Sequence, residues 1–177
     1  MRPRGYSNTT DGRADEAFLL ALLNSTPTID GRRTDALGDD AEARAWLATN
    51  FGGDASAADL AALRQARDVL QGLAHGHRDD AAEVEAILDD ACLRPRVEGG
   101  GLSWSLSVPP DREPSVRAIL AWDALEKDSP GRLRPCANDE CTLYLVDRSR
   151  NNSARWCSMA GCGNRLKARR HYKRQKG

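Results

Sequence analysis

The sequence predicts an α+β chain in two parts: a mostly helical N-terminal domain with a small β-hairpin over residues 13–130, then a small four-cysteine module ending in a basic helix over residues 131–177. Three observations carry this reading. Apolar residues recur at helical spacing through most of the first 130 positions, whereas Leu102, Trp104, Leu106 and Val108 alternate with serines as a half-buried strand does. Four of the five cysteines fall within 27 residues near the C-terminus. The formal net charge of zero conceals a split: residues 1–130 carry 14 Lys+Arg against 23 Asp+Glu, a net of −9, and residues 131–177 carry 12 against 3, a net of +9.

Each element follows in order. Residues 1–12 are polar and read as a loose leader. From Ala14 to Asn24, Phe18, Leu19, Leu20, Leu22 and Leu23 are dense enough for a buried helix. Residues 25–38 hold Pro27, Gly31 and Gly38 and read as a loop. Asp39 or Asp40 then caps a helix to Asn50 with Trp46 and Leu47 on its apolar face, stopped by Gly52-Gly53. Ser56 and Asp59 form a capping box for a long helix bearing Leu60, Leu63, Val69, Leu70 and Leu73. A shorter helix is expected across 81–91, with Cys92 as a small core residue after it. Strands near 93–97 and 102–108 turn at Gly99-Gly100-Gly101. Pro114 suits the first turn of a last helix through Val116, Ile119, Trp122 and Leu125, ending before Pro130-Gly131.

Composition excludes several classes. The longest apolar run, 17–23, is too short to span a bilayer, and no apolar signal-peptide core follows Arg2 and Arg4. The clustered cysteines do not resemble a secreted disulfide framework, so a reducing cytoplasm is the expected compartment. Only four of the 26 basic residues are Lys, which with abundant Ala and Asp hints at a high-GC bacterial genome. There is no nucleophile elbow, no glycine-rich phosphate loop and no His/carboxylate metal cluster, so the chain reads as a non-enzyme. Asn24, Asp30, Arg32 and Arg33 could line a small pocket, though polar loop residues are usually just solvated. His75 and His77, beside Gly76, read as a solvated pair.

The cysteines are spaced Cys136-x4-Cys141-x15-Cys157-x4-Cys162. Two close pairs separated by a dozen or more residues are how a small module supplies four tetrahedral ligands to Zn²⁺. The alternative, four free thiols in an ordinary core, fails because the segment has few other apolar residues, among them Leu133, Leu143, Leu145, Val146, Trp156 and Leu166. Four thiolates close the coordination sphere, so the metal is structural. They and the ion sum to −2, which brings the module from +9 to nearer +7. Arg134, Arg148, Arg155 and Arg165 lie close to the ligands and either neutralise them or meet an outside anion.

Beyond Cys162 the chain is strongly basic. On helical spacing Arg165, Arg169 and Lys173 form one row, Arg170 and Arg174 a second, and Lys167 widens the positive surface; His171 could substitute as a zinc ligand but, nine residues past Cys162, better suits a place on the helix face or against a phosphate. A basic helix anchored by a metal suits the phosphate backbone of a nucleic acid, with a frayed, solvated tail as the alternative.

Residues 133–176 closely resemble the CGNR zinc-finger family, named for the tetrapeptide present here as Cys162-Gly163-Asn164-Arg165. The match also covers Cys136-Ala137-Asn138, Asp147-Arg148-Ser149-Arg150-Asn151, Arg155-Trp156-Cys157-Ser158-Met159 and Lys167-Ala168-Arg169-Arg170-His171. Leu22-Leu23-Asn24-Ser25, Asp30-Gly31, Trp46-Leu47 and the late hairpin look like the ABATE domain that often precedes this finger, with Ser25 where Thr is usual. The resemblance implies a bacterial, stress-responsive transcription regulator that binds DNA through the finger, and it supports the four zinc ligands position by position.

The expectation is therefore a zinc-dependent DNA-binding protein. Its contacts would be drawn from Arg148, Arg150, Arg155, Arg165, Lys167, Arg169, Arg170, His171, Lys173 and Arg174, with Trp156 and Leu166 packed on the zinc core. RNA is the alternative partner, because phosphate contacts carry no sequence information. The finger offers few aromatics for stacking single-stranded bases: Tyr144, Trp156 and Tyr172. The acidic domain would form a homodimer, sense a small-molecule effector, or contact another protein.

Overall fold

The computed structural model describes residues 12–29, 31–53, 56–77, 81–165 and 167. Among the described residues, five helices make the body: α1 (Gly12–Leu23), α2 (Asp40–Asn50), α3 (Ala57–Ala74), α4 (Ala81–Leu88) and α5 (Glu113–Asp128). Three antiparallel strand pairs accompany them: β1 (Thr28–Ile29) with β2 (Arg32–Arg33), β3 (Cys92–Glu98) with β4 (Gly101–Ser107), and β5 (Leu133–Pro135) with β6 (Tyr144–Val146). A 3-10 turn, Pro110–Arg112, leads into α5. Among the described residues, no helix is long and apolar enough to cross a membrane.

The helix starts follow their capping chemistry. Asp39 Oδ1 accepts from the N–H groups of Ala41 (2.8 Å) and Glu42 (3.1 Å), satisfying two orphan donors at the start of α2. The predicted box at α3 closes both ways: Asp59 N–H donates to Ser56 Oγ, and Ser56 N–H to Asp59 Oδ2. Helix α4 stops at Leu88, three residues before its expected end, because Asp90 takes a left-handed turn (φ 62°) that feeds β3. The turn after β3 is two residues, Gly99-Gly100, both at positive φ (57° and 80°), the conformation that matches hairpin twist.

Stripes of leucine fix the packing. Leu19, Leu22 and Leu23 from α1, Leu60, Leu63 and Leu70 from α3, and Val116 and Ile119 from α5 are buried, with Leu37 from the α1–α2 connection closing the cluster. Phe18 holds Trp46 and Phe51 against it. A basic side chain enters as well: Arg67 is 6% exposed, and its guanidinium donates to Asp35, Asp68 and the buried Ser25 hydroxyl. Burial opposes ionisation of Asp35, yet the bond from Arg67 and the Leu37 N–H hold its carboxyl below the usual range.

Two expectations change here. The 25–38 segment, read as a loop, contains the short β1–β2 pair: Gly31 (φ 76°) makes the reversal that Thr28↔Arg33 and Ile29↔Arg32 need. Cys92, expected in the core, is exposed, because it opens a hairpin that stands off the helices.

The last strand pair is continuous with the body. Leu133 and Tyr144 belong to the same buried cluster as the leucines of α1 and α3, with Val146 packed against it. Asn24, at the end of α1, reads the β6 backbone as another strand would. Its Oδ1 accepts from Tyr144 N–H (2.7 Å) and its Nδ2 donates to Tyr144 C=O (3.3 Å). Gln71 of α3 donates to Leu23 C=O and Thr26 Oγ1, and Thr26 C=O accepts from Thr142 Oγ1. Asn24, proposed for a pocket lining, is thus a structural clamp.

Candidate metal centre

The four cysteines converge from two short turns. Cys136 follows β5 directly, and its N–H donates to Leu143 C=O (2.8 Å) while Cys141 N–H donates to Asn138 C=O (2.8 Å), folding the first x4 loop back on itself. The second pair is carried by a single π turn, Met159–Gly163, in which Gly163 N–H donates to Ser158 C=O five residues back. That wider turn seats Cys162 beside Cys157. Ser158 Oγ caps it by accepting from Gly161 N–H (3.2 Å).

The four sulfurs lie within 4.8 Å of one another. Cys157 Sγ is 3.7 Å from both Cys141 Sγ and Cys162 Sγ. These separations exclude disulfides, whose sulfurs are about 2.05 Å apart. The two 3.7 Å separations are those of a tetrahedron of thiolates, whose edges at a Zn–S distance of about 2.3 Å are close to 3.8 Å. The donor set, soft sulfur throughout, is the one zinc takes in closed structural sites.

Around the sulfurs lie donors placed for negative charge. Asn138 is buried and its Nδ2 donates to Cys162 Sγ (3.4 Å); Cys157 N–H donates to Cys136 Sγ (3.4 Å). Burial and the neighbouring sulfurs push the Cys157 thiol up, and burial raises Cys141. At Cys162 burial works in the same direction, but donation from Asn138 and the other cysteines carries it below its ordinary value. Four thiolates in one small volume repel one another, a cost that a bound dication removes as the remaining protons leave.

The connection from β6 to Cys157 is organised by one residue. Asp147 is fully buried. Its carboxylate accepts from Ser149 N–H (2.7 Å), Ala154 N–H (2.8 Å) and Arg134 (2.7 Å), and its carbonyl from Arg132 (2.8 Å). Burial alone would raise this carboxyl; the Ser149 and Ala154 donors and the Arg134 charge hold it below the usual range. Arg134 also reaches Asn152, which sits at φ 49°, a left-handed conformation that Asn tolerates. Asp147 and Asn138 are the positions that ligand spacing could not reveal. Their signal was the density of the family motif around them.

Gly163 has a steric reason. A Cβ there would lie 2.9 Å from Met159 Sδ and 3.2 Å from Trp156 Cδ1. Trp156, expected in the interior, is half-buried, with the Arg155 guanidinium 5.4 Å from its ring centroid.

The basic residues fall into three groups. Arg134 is engaged with Asp147, and Arg148 makes an ion pair across to Glu16 of α1. Arg150, Arg155, Arg165 and Lys167 are exposed, and none of them has an acidic partner among the described residues. Asn164, Arg165 and Lys167 are helical, directly after the π turn. Leu166, Arg169, Arg170, His171, Tyr172, Lys173 and Arg174, and with them all of the two predicted rows of the basic helix except Arg165, lie outside the described residues, as does Asp30.

His75 is not merely solvated. Its Nδ1 lies 2.8 Å from Gln71 C=O and 3.2 Å from Tyr144 Oη, and the His75 and Tyr144 rings meet edge to face at 5.5 Å. Burial lifts the Tyr144 phenol to about 12, so it stays protonated.

Comparison with known families agrees with this geometry. A family model described as "CGNR zinc finger" matches residues 132–175. The ABATE model, described as "Putative stress-induced transcription regulator", matches residues 16–128. No curated protein matches the chain.

Proposed function

The chain belongs to the ABATE family and carries a CGNR zinc finger at its C-terminal end, and we propose that it is a regulator that grips duplex DNA through that finger. One observation supports this above the others: the finger's positive charge is only partly used inside the molecule. Arg134 and, at the surface, Arg148 are paired with carboxylates, whereas Arg150, Arg155, Arg165 and Lys167 are exposed and have no acidic partner among the described residues.

The zinc held by Cys136, Cys141, Cys157 and Cys162 would supply rigidity and no reaction chemistry; the reading is of a binding protein without catalytic residues. Cys162 is followed at once by helical Asn164 and Arg165, so the ligand turn sets the direction in which the basic segment leaves the finger. Guanidinium groups on that segment would hold phosphates in bidentate fashion, and their number would set the salt dependence. The acidic body, at −9, repels nonspecific polyanions and leaves the finger as the positive end of the chain.

Selection from a random duplex library by the zinc-loaded, full-length chain tests the reading, and a reproducibly enriched motif is the expected result. No enrichment, or tighter retention of single-stranded RNA, would transfer the proposal to RNA. Replacing Arg165 and Lys167 with Gln should weaken binding to all sequences alike and flatten the salt slope by about 0.9 for each phosphate no longer neutralised. An unchanged slope removes those two side chains from the interface.

A further inference from the structure

The β3–β4 hairpin has one wholly apolar face and one open edge. In its register Leu93 faces Leu106, Pro95 faces Trp104, and Val97 faces Leu102, and directly opposed residues share a face of the sheet. The polar pairs Cys92/Ser107, Arg94/Ser105 and Arg96/Ser103 take the other face. At the tip the apolar face is uncovered, with Val97 78% and Leu102 70% exposed. A two-stranded hairpin is marginal in water, and additional strands are the usual remedy.

The two edges are unequal. The two-residue turn makes Glu98–Gly101 a hydrogen-bonded pair, and alternation then places the apolar pairs at the positions whose backbone groups point outward. On β3 the central outward residue is Pro95, which has no N–H to offer, and the strand carries Arg94, Arg96 and Glu98. Proline and charge are how proteins protect an edge strand. Strand β4, Gly-Leu-Ser-Trp-Ser-Leu-Ser, carries neither. Among the described residues, no hydrogen bond joins the outward backbone groups of Leu102, Trp104 and Leu106 to another element.

The β4 pattern is also symmetric about Trp104: a serine and then a leucine lie on either side. We propose that β4 is a self-pairing interface, in which two copies of this chain join their β4 strands antiparallel about a twofold axis at Trp104. Leu102 of each copy then lies opposite Leu106 of the other, and the outward backbone groups at 102, 104 and 106 meet in the hydrogen-bonding register. The result is one four-stranded sheet with a continuous apolar face and no like charges opposed across the join. A twofold interface requires such self-complementarity. The pairing involves neither the zinc site nor the basic segment, so it stands apart from the DNA reading.

Sedimentation equilibrium of the zinc-loaded, full-length chain tests it, with a dimer expected at concentrations on the order of 10 µM. Leu102→Lys and Leu106→Glu should each weaken association by at least about ten-fold, because a charge then faces leucine across a desolvated ladder. Mixing the two variants should restore a dimer, since this register sets the two introduced charges against each other and leaves leucine against leucine at the other end. A monomeric wild type, a dimer indifferent to Leu102→Lys, or a mixture that stays monomeric would each overturn the pairing. Zinc content and helical signal verify that the variants fold. Should Leu106→Glu fail that check, Leu102→Lys at its exposed position decides alone.

Discussion

The body and the finger solve the same problem with different materials. The body buries Leu19, Leu22, Leu23, Leu60, Leu63, Leu70 and Ile119 among one another, and its polar groups mostly cap helix ends or sit outside. The finger buries few large apolar side chains, and two of these, Leu133 and Tyr144, are built into the body's cluster. Among the described residues, the side chains that remain inside besides Leu145 are Cys136, Cys162, Asn138 and Asp147. A leucine core tolerates small errors of position because dispersion is nondirectional. A thiolate cage with a buried carboxylate does not, since each group needs its donor or its ion in place. The finger therefore folds by satisfying charge, and the body by removing apolar area from water.

The largest expected effect breaks that comparison open. Chelating the zinc, or replacing Cys157 with Ser, should unfold the finger, since structural zinc supplies about 10–16 kcal/mol to such modules. Most of the helical circular-dichroism signal should survive, because α1, α3 and α5 keep their own core. Collapse of the helical signal together with zinc release would show that the body leans on the finger and that the contrast is false. The reciprocal change comes next. Leu63 is fully buried, so Leu63→Ala should cost about 2–5 kcal/mol, read as a lower urea midpoint of the body, with one zinc per chain retained. Zinc loss in that variant would again join the two regions.

How much of this was legible in the sequence follows from the same contrast. Periodicity is a property of apolar area, so the helices of the body could be read directly, down to the Ser56–Asp59 box. Ligand spacing is a property of metal geometry, so the four cysteines could be read as well. What could not be read depends on contacts between residues far apart in the chain. Asn24 looked like a polar loop residue because its partner, the Tyr144 backbone, lies 120 positions away. Arg148 could be read as neutralising the zinc site or meeting a phosphate, but its pairing with Glu16 could not, because the two lie 132 positions apart. Cys92 looked buried because a small thiol after an apolar helix usually is, but the hairpin it opens stands off the core. The β1–β2 pair is two residues long per strand, too short for any alternation to register.

A more moderate effect sharpens the boundary between the regions. Asn24→Ala leaves Tyr144 N–H and C=O, both in a half-buried seam, without their partner and should cost about 1–3 kcal/mol. If the seam couples the two parts, the body's urea midpoint falls and a chelator strips zinc faster in the same variant. A lower midpoint with unchanged stripping would confine Asn24 to the body.

The smallest effect concerns how Asp147 keeps its charge. Its folded carboxyl is held below the unfolded value of about 3.9, so the stabilisation it contributes is fully present above that value and is lost only as pH falls through the folded one. Asp147→Asn removes the charge facing Arg134 and one acceptor of the Ser149 and Ala154 N–H groups. The variant should therefore lose zinc to a competing chelator more readily than the wild type. The difference between them should also stay constant from neutrality down to about pH 5, where a carboxyl titrating below 4 remains ionised. A difference that shrinks within that window would mean that burial, rather than the surrounding donors, sets the titration of Asp147. The finger's interior would then resemble the body's more closely than its hydrogen bonds indicate.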